Sequence, residues 1–239
     1  MTAKVATRSG FFLYMSLGFL AIALIGFSPT LFLPLARGMF VAPPLVYAHG
    51  ALMFIWLIFF IAQASLIRIR NVSVHRRLGW FGALLGIAMV ISGVAVSLHK
   101  THRELAAGGG DVVLRQLVNN LIGILIFGSL VAAAIVLRRD IESHRRLLLL
   151  ATISVVSAAI LKFDQFFPAI ENPDVIFLIL SYSLLLAAIA HDLVAYKRVH
   201  PVYIWVVGLF VAYDVINPLA FQSAAWLRVA RWLVGEAAV

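Results

Sequence analysis

The sequence predicts an all-α polytopic membrane protein with seven transmembrane helices, and three observations carry that prediction. Of 239 residues, 63 % are hydrophobic and only 12 % charged, with a mean hydropathy of +1.03; a water-soluble domain of this length has no use for so much apolar surface. The apolar residues fall in runs long enough to cross about 30 Å of hydrocarbon, which takes about 20 helical residues. The basic residues gather in the short loops between those runs, the pattern of topological charge. Helices follow because backbone in lipid must satisfy its own hydrogen bonds.

Taken in order, the runs lie at roughly 10–34, 45–67, 77–98, 116–137, 147–168, 175–194 and 202–221, each close to the length a span needs. The first follows "MTAKVATRSG" and has the basic head of a signal peptide. Its apolar run is too long for one and no small-residue cleavage site follows, so it is expected to be a retained lone span. The other six pair into three hairpins. Their turns repeat a theme: "RIRNVSVHRRLGW" (68–80), "LRRDIESHRRLLL" (137–149) and "AYKRVHPVYIW" (195–205) each end one helix with bases and open the next with a histidine. The remaining linkers carry breakers, "APP" at 42–44, "AAGGGD" at 106–111 and "ENPD" at 171–174. The whole chain, 1–239, reads as one transmembrane domain. Its tail, 222–239, reads as an interfacial amphipathic helix, with Trp226, Val229 and Leu233 on one face and Arg228 and Arg231 turned away.

Placing the N-terminus inside puts Lys4, Arg8, Arg68, Arg70, Arg76, Arg77, Arg138, Arg139, Arg145, Arg146, Lys197 and Arg198 on the cytoplasmic side. Opposite them stand Arg37, Lys100, Arg103, Arg115, Arg228 and Arg231. Twelve against six predicts N-inside and C-outside in a bacterial inner membrane. The same distribution argues against a nucleic-acid partner, and makes the lipid bilayer the first one.

The absence of cysteine excludes disulfides, cysteine-bound zinc, iron–sulfur clusters and covalently attached haem. No lysine in the seventh span is placed for a Schiff base, and no phosphate-binding glycine loop, nucleophile elbow or dinucleotide fingerprint appears. What remains is histidine and carboxylate chemistry. An inner histidine group, His75, His144, His191 and His200, sits at helix ends near the basic turns. His75 and His144 open the third and fifth spans at matching depth, which suits the axial pair of a b-type haem; the competing reading makes each "HRR" an interfacial anchor. His191 is followed by Asp192, a carboxylate able to orient its imidazole.

The outer half carries polar residues of a different kind. His49, Met53, Trp56, Phe60 and Gln63 form one stripe of the second helix. Asp164 is assigned to the fifth helix, and Asp214 and Asn217 share a face of the seventh, with Tyr203 on the same stripe. With Asn119, Asn120, Lys162 and Gln165 they map to similar depth. Ionised carboxylates in a span face a cavity or a partner, so an outward polar pocket of His49, Asn119, Asn120, Lys162, Asp164, Asp214 and Asn217 is expected, against a purely structural pairing of the same charges. His99 and His102, spaced as "HxxH" in a predicted 99–115 loop, supply with His49 and Asp164 a candidate zinc site for a membrane hydrolase.

"HGALMFIWLIFFIAQASLIRIR" followed by "VHRRLGWFGALLGIAMVISG" resembles the paired helices of the ascorbate-reducible, ferric-reductase-like membrane cytochromes, and also a family of bacterial membrane proteins with "HR" at the same turn. The resemblance covers roughly residues 45–165. It implies two b haems between four helices, electron transfer from a cytoplasmic donor, His75 and His144 as the inner axial pair, and His49 as a ligand of the outer haem. Where the fourth helix of that family offers His49 its partner, this chain has "VNN", with Asn119 and Asn120; His99 or His102 would have to substitute. Four readings therefore stand side by side: a b-type cytochrome, a binding or transport protein using the outer pocket, a zinc hydrolase, and a structural or assembly subunit of a larger complex, for which the sequence offers no positive feature.

Overall fold

The computed structural model describes residues 10–169 and 172–235, so Lys4 and Arg8 of the topological count lie outside the described residues. The described residues contain helices and no strand. They are α1 (Phe11–Gly26), α2 (Pro44–Arg68), α3 (Val72–Ala106), α4 (Gly110–Val136), α5 (Ile141–Ile160), α6 (Pro173–Tyr196), α7 (Pro201–Gln222) and α8 (Ala224–Leu233). Six are long and apolar enough to cross a membrane, or seven if the bent first segment counts as one span.

That first segment departs from the single run expected at 10–34. α1 stops at Gly26, a π-turn follows over Ser28–Phe32 and runs into a last turn, Leu33–Ala36, and the stretch Ser28–Ala36 is bent by 48° from α1. Pro29 causes this, since it donates no N–H to the ladder and its ring crowds the carbonyl four residues back; the Leu31 and Phe32 amides both turn to the Phe27 carbonyl instead.

Each basic turn supplies its own helix start. The Asn71 side chain accepts from the Val74 amide to cap α3, Asp140 accepts from Glu142 and Ser143 to cap α5, and the His200 ring accepts from Val202 to cap α7. Hydrogen bonds from Ser143 hold the Asp140 carboxyl below its ordinary range. Arg70 and Lys197, at φ 63 and 58, make the reversals that precede two of these caps.

α3 and α5 differ from the expected spans for identifiable reasons. At 35 residues α3 is much longer than a bilayer needs. Its end is written in helix formers tied by Lys100 and Glu104 one turn apart, and it stops only at Gly108–Gly110, where two glycines take positive φ. α5 stops early, at Ile160. Beyond it Lys162 and Asp164 cannot continue into lipid, and the Asp164 carboxylate turns back on the Gln165 amide in a 3-10 turn over Phe163–Phe166.

α1 to α5 close a ring: each of α2 to α5 packs on the next, and α1 fits between α2 and α5. Gly26 makes that last seam possible, because a Cβ there would stand 2.4 Å from the Ala159 carbonyl oxygen. Trp56 of α2 crosses the ring to donate to the Thr152 hydroxyl of α5 at 3.2 Å, with its indole edge-on to Phe127 of α4. α6 packs on α5, and α7 on α4 and α5. α8 lies across the start of α4, burying Ala230 and Val234 on Leu114 and Leu117. Of the expected face Trp226 and Leu233 pack on this cluster while Val229 is exposed, and Arg231 pairs with Asp111 at 2.9 Å.

Candidate functional site: a cavity at one end, an ion network at the other

The far end of the bundle, opposite the basic turns, contains a cavity of about 410 Å³. His49 enters it from α2, Gly93 from α3, Asn119, Asn120 and Gly123 from α4, Ser154 and Ser157 from α5, Ser181 and Tyr182 from α6, and Tyr213 and Asp214 from α7. Ser97 and Lys100 of α3 also reach it, and the rest of the wall is apolar, with Met53, Met89, Ile124, Phe127, Phe177 and Phe210.

The protonation of His49 can be read from its partners. The Ser92 hydroxyl donates to the Met89 carbonyl at 3.2 Å. Ser92 Oγ also pairs with His49 Nδ1 at 3.0 Å. With the Ser92 proton on Met89, the neutral ring carries its own on Nδ1 and Nε2 is an acceptor. Asn119 Oδ1 and Ser181 Oγ, both buried and both on residues of the cavity wall, have no hydrogen-bond partner among the described residues. The Tyr182 phenol donates to Asp214 Oδ2, joining α6 to α7.

His49, Asn119, Asn120 and Asp214 of the expected pocket thus share one cavity. Asp164 is a correction: it lies outside the fifth helix, exposed in the 3-10 turn, and does not line the cavity. Lys162 falls in the same turn, its carbonyl occupied by Gln165. Asn217 has a buried Oδ1 without a partner but also lies off the cavity wall. Lys100, Ser181 and Tyr182 were missed; the signal was "SYS" (181–183), a polar triplet inside an apolar span.

The candidate zinc ligands do not converge. His99 and His102 are on α3 rather than in a loop. His102 Nε2 meets the Val234 carbonyl at 2.9 Å. Among the described residues no three His, Asp or Glu side chains are placed to hold one metal ion.

At the basic end, His75 and His144 stand near enough for a charge on one to be felt by the other. His144 Nδ1 donates to the Ala134 carbonyl at 2.7 Å. Among the described residues His75 Nδ1 and both side-chain polar atoms of Gln63 are buried without a hydrogen-bond partner. A backbone carbonyl on Nδ1 orients the His144 imidazole with Nε2 as its other ring nitrogen. His191 is elsewhere, stacked on Phe11 with ring centroids 3.9 Å apart.

Asp192 does not serve His191 as its main partner; the two stand 3.6 Å apart. It forms instead a two-pronged pair with Arg146, Nε to Oδ2 and Nη2 to Oδ1, both 2.8 Å. Arg146 Nη1 also donates to the Glu142 carbonyl and carboxylate. Both members of the pair are 1 % exposed, so the second "HRR" is no headgroup anchor at Arg146. Arg145 reaches Glu142 and the Tyr196 hydroxyl and lies over the ring of Phe12. The network ties α1, α5 and α6 together, with Tyr203 of α7 packed beneath Arg146. Beside it, His200 titrates below its ordinary range, first because it is partly buried and then because of Arg146.

Compared with protein-family models, with curated proteins and with solved structures, the chain matches none, so any reading of its function rests on the geometry of these two ends.

Proposed function

We propose that this is a multi-pass membrane protein that binds, and by binding carries or senses, a small lipid-soluble molecule held in the far-end cavity. One observation carries the reading: an apolar cavity of about 410 Å³ bears a few convergent polar groups, of which Asn119 Oδ1 and Ser181 Oγ have no partner among the described residues. Buried polar atoms are nearly always satisfied, and an apolar chamber with a few placed polar atoms is the usual form of a small-molecule site. The twelve-to-six basic asymmetry supports a cytoplasmic N-terminus in a bacterial inner membrane, with the cavity toward the outer face.

The test uses Gly123, which lines the cavity and whose Cβ would meet nothing within 4 Å. Gly123→Leu fills the chamber without moving a helix. Mass spectrometry of the purified wild-type chain should find a co-extracted small molecule that is lost from Gly123→Leu, while the variant elutes as a folded species. Equal retention by both would remove the cavity from consideration.

A second reading is a b-type haem held by His75 and His144, which when bound would give the chain one-electron chemistry. The observation that favours it is the His144 imidazole oriented by the Ala134 carbonyl, near enough to His75 for a charge on one to be felt by the other. A Soret band that shifts on reduction and disappears in His144→Ala would select this reading; colourless protein from haem-replete cells would reject it.

A further inference from the structure

α6 and α7 are joined by only four residues, and helices so joined normally pack as a hairpin. Here they do not: α6 leans on α5, α7 on α4 and α5, and a seam remains between them. The cavity reaches that seam, with Phe177, Ser181, Tyr182 and Leu185 on one side and Phe210, Tyr213 and Asp214 on the other. The outer faces of both helices are exposed and apolar, Ile179 and Leu186 on α6, Val211 and Val215 on α7. In a bilayer that surface meets hydrocarbon.

Across the seam runs the hydrogen bond from Tyr182 to Asp214. Asp214 is exposed on a span, a position where a carboxylate is costly and persists when it has a partner or a task. A single side-chain hydrogen bond over an unpacked seam can open without disturbing the ring of α1 to α5.

The polar groups inside the cavity define what would be received. With the Ser92 proton on the Met89 carbonyl, His49 Nε2 is an acceptor, and Asn119 Oδ1 is a second acceptor without a partner among the described residues. Two acceptors call for a donor. Charged groups stand only toward the cavity's limits, Lys100 and Asp214, both exposed, so the buried wall suits a neutral head.

We propose that a neutral lipid with a hydroxyl head enters this cavity sideways from the bilayer, between α6 and α7, through a portal latched by Tyr182 and Asp214, and presents its hydroxyl to His49 and Asn119. The inference rests on the binding reading above. Two sources share this chemistry, the dihydroxy ring of a quinol and the free hydroxyl of a diacylglycerol.

The chain has no cysteine, so the double variant Tyr182→Cys, Asp214→Cys offers two unique thiols. The protein is placed in phosphatidylcholine nanodiscs, and loading of a short-chain ubiquinol or of dioleoylglycerol is followed before and after closing the seam with a reducible bis-methanethiosulfonate linker. The unlinked variant should load faster than wild type, the linked form at least tenfold more slowly, and reduction should restore the rate. Linking without effect would overturn the portal while leaving the cavity. A dimethyl ether of the same quinol should bind at least tenfold more weakly; equal binding, or no binding of either hydroxyl lipid to wild type, would overturn the ligand class. Whichever of the two lipids loads identifies the source. Gly123→Leu separates the levels: loading that survives it would overturn the cavity itself, and the portal with it.

Discussion

The Arg146–Asp192 pair and the far-end cavity both bury polar groups, and they treat them in opposite ways. At the basic end every oxygen of Asp192 and every nitrogen of Arg146 is answered, by each other and by Glu142, within a space that leaves a void of only about 10 Å³. At the far end Asn119 Oδ1 and Ser181 Oγ, on the wall of a cavity about forty times larger (410 against 10 Å³), bond to nothing among the described residues. Satisfied polarity holds helices together; unsatisfied polarity at a cavity wall is polarity reserved for something else.

The largest expected effect is at the basic end. Asp192→Ala strands the Arg146 guanidinium in a buried site and should cost about 3–5 kcal/mol, seen as loss of the folded species in thermal unfolding followed by size exclusion. The double replacement Arg146→Met, Asp192→Leu should recover most of that loss, because no charge is then left unpaired. A single variant as stable as wild type would break the comparison.

Next comes Gly26→Ala. The new methyl would meet the Ala159 carbonyl, which is backbone and cannot swing away, so α1 must shift from α5 at about 1–3 kcal/mol. The same unfolding assay reads it. A neutral result would mean that the far-end walls are loose and that the cavity reflects poor packing.

A smaller effect of opposite sign is expected at Asn119. Asn119→Leu removes an acceptor that has no partner and should raise stability by about 1 kcal/mol while abolishing ligand retention. Destabilisation would show that Asn119 is structural and would erase the contrast with Asp192.

The smallest effect is a pH dependence at His200. Its neutral Nδ1 caps α7, and burial followed by Arg146 depresses its pKa below 6.5, while Asp140, Asp192 and Glu142 pull the other way. A depressed folded pKa means that the cap's contribution is fully present above pH 6.5 and is lost as pH falls through the folded value. Amide exchange at Val202 should quicken over that window, and His200→Asn, an alternative cap, should flatten the response. Amide exchange that does not change with pH would dismiss it.

The helical spans were legible in the sequence because lipid imposes one rule on every residue of a run: stay apolar, and let the backbone bond to itself. That rule located all seven apolar segments and the basic turns. It also gave His49, Asn119, Asn120 and Asp214 a common depth, since depth is counted along each helix. It misjudged the ends. α3 ran on through His99 and His102 because Lys100 and Glu104 support helix in water as well as at the membrane, and α5 stopped before Asp164 because a carboxylate can bond its neighbour's amide instead.

Which residues face one another was decided by tertiary structure. Asp192 could be read as the partner of the adjacent His191, whereas the packing of α6 on α5 brings it to Arg146, forty-six residues away. Asp214 and Tyr182 meet across the seam between α6 and α7, a pairing that no spacing along the sequence gives. Hydropathy fixes how deep a residue lies, through a transfer free energy that depends on that residue alone. Its rotation about the helix axis and its neighbours depend on shape complementarity between helices, on Gly26 against Ala159 and Trp56 against Thr152, and these pairings exist only once the bundle is assembled.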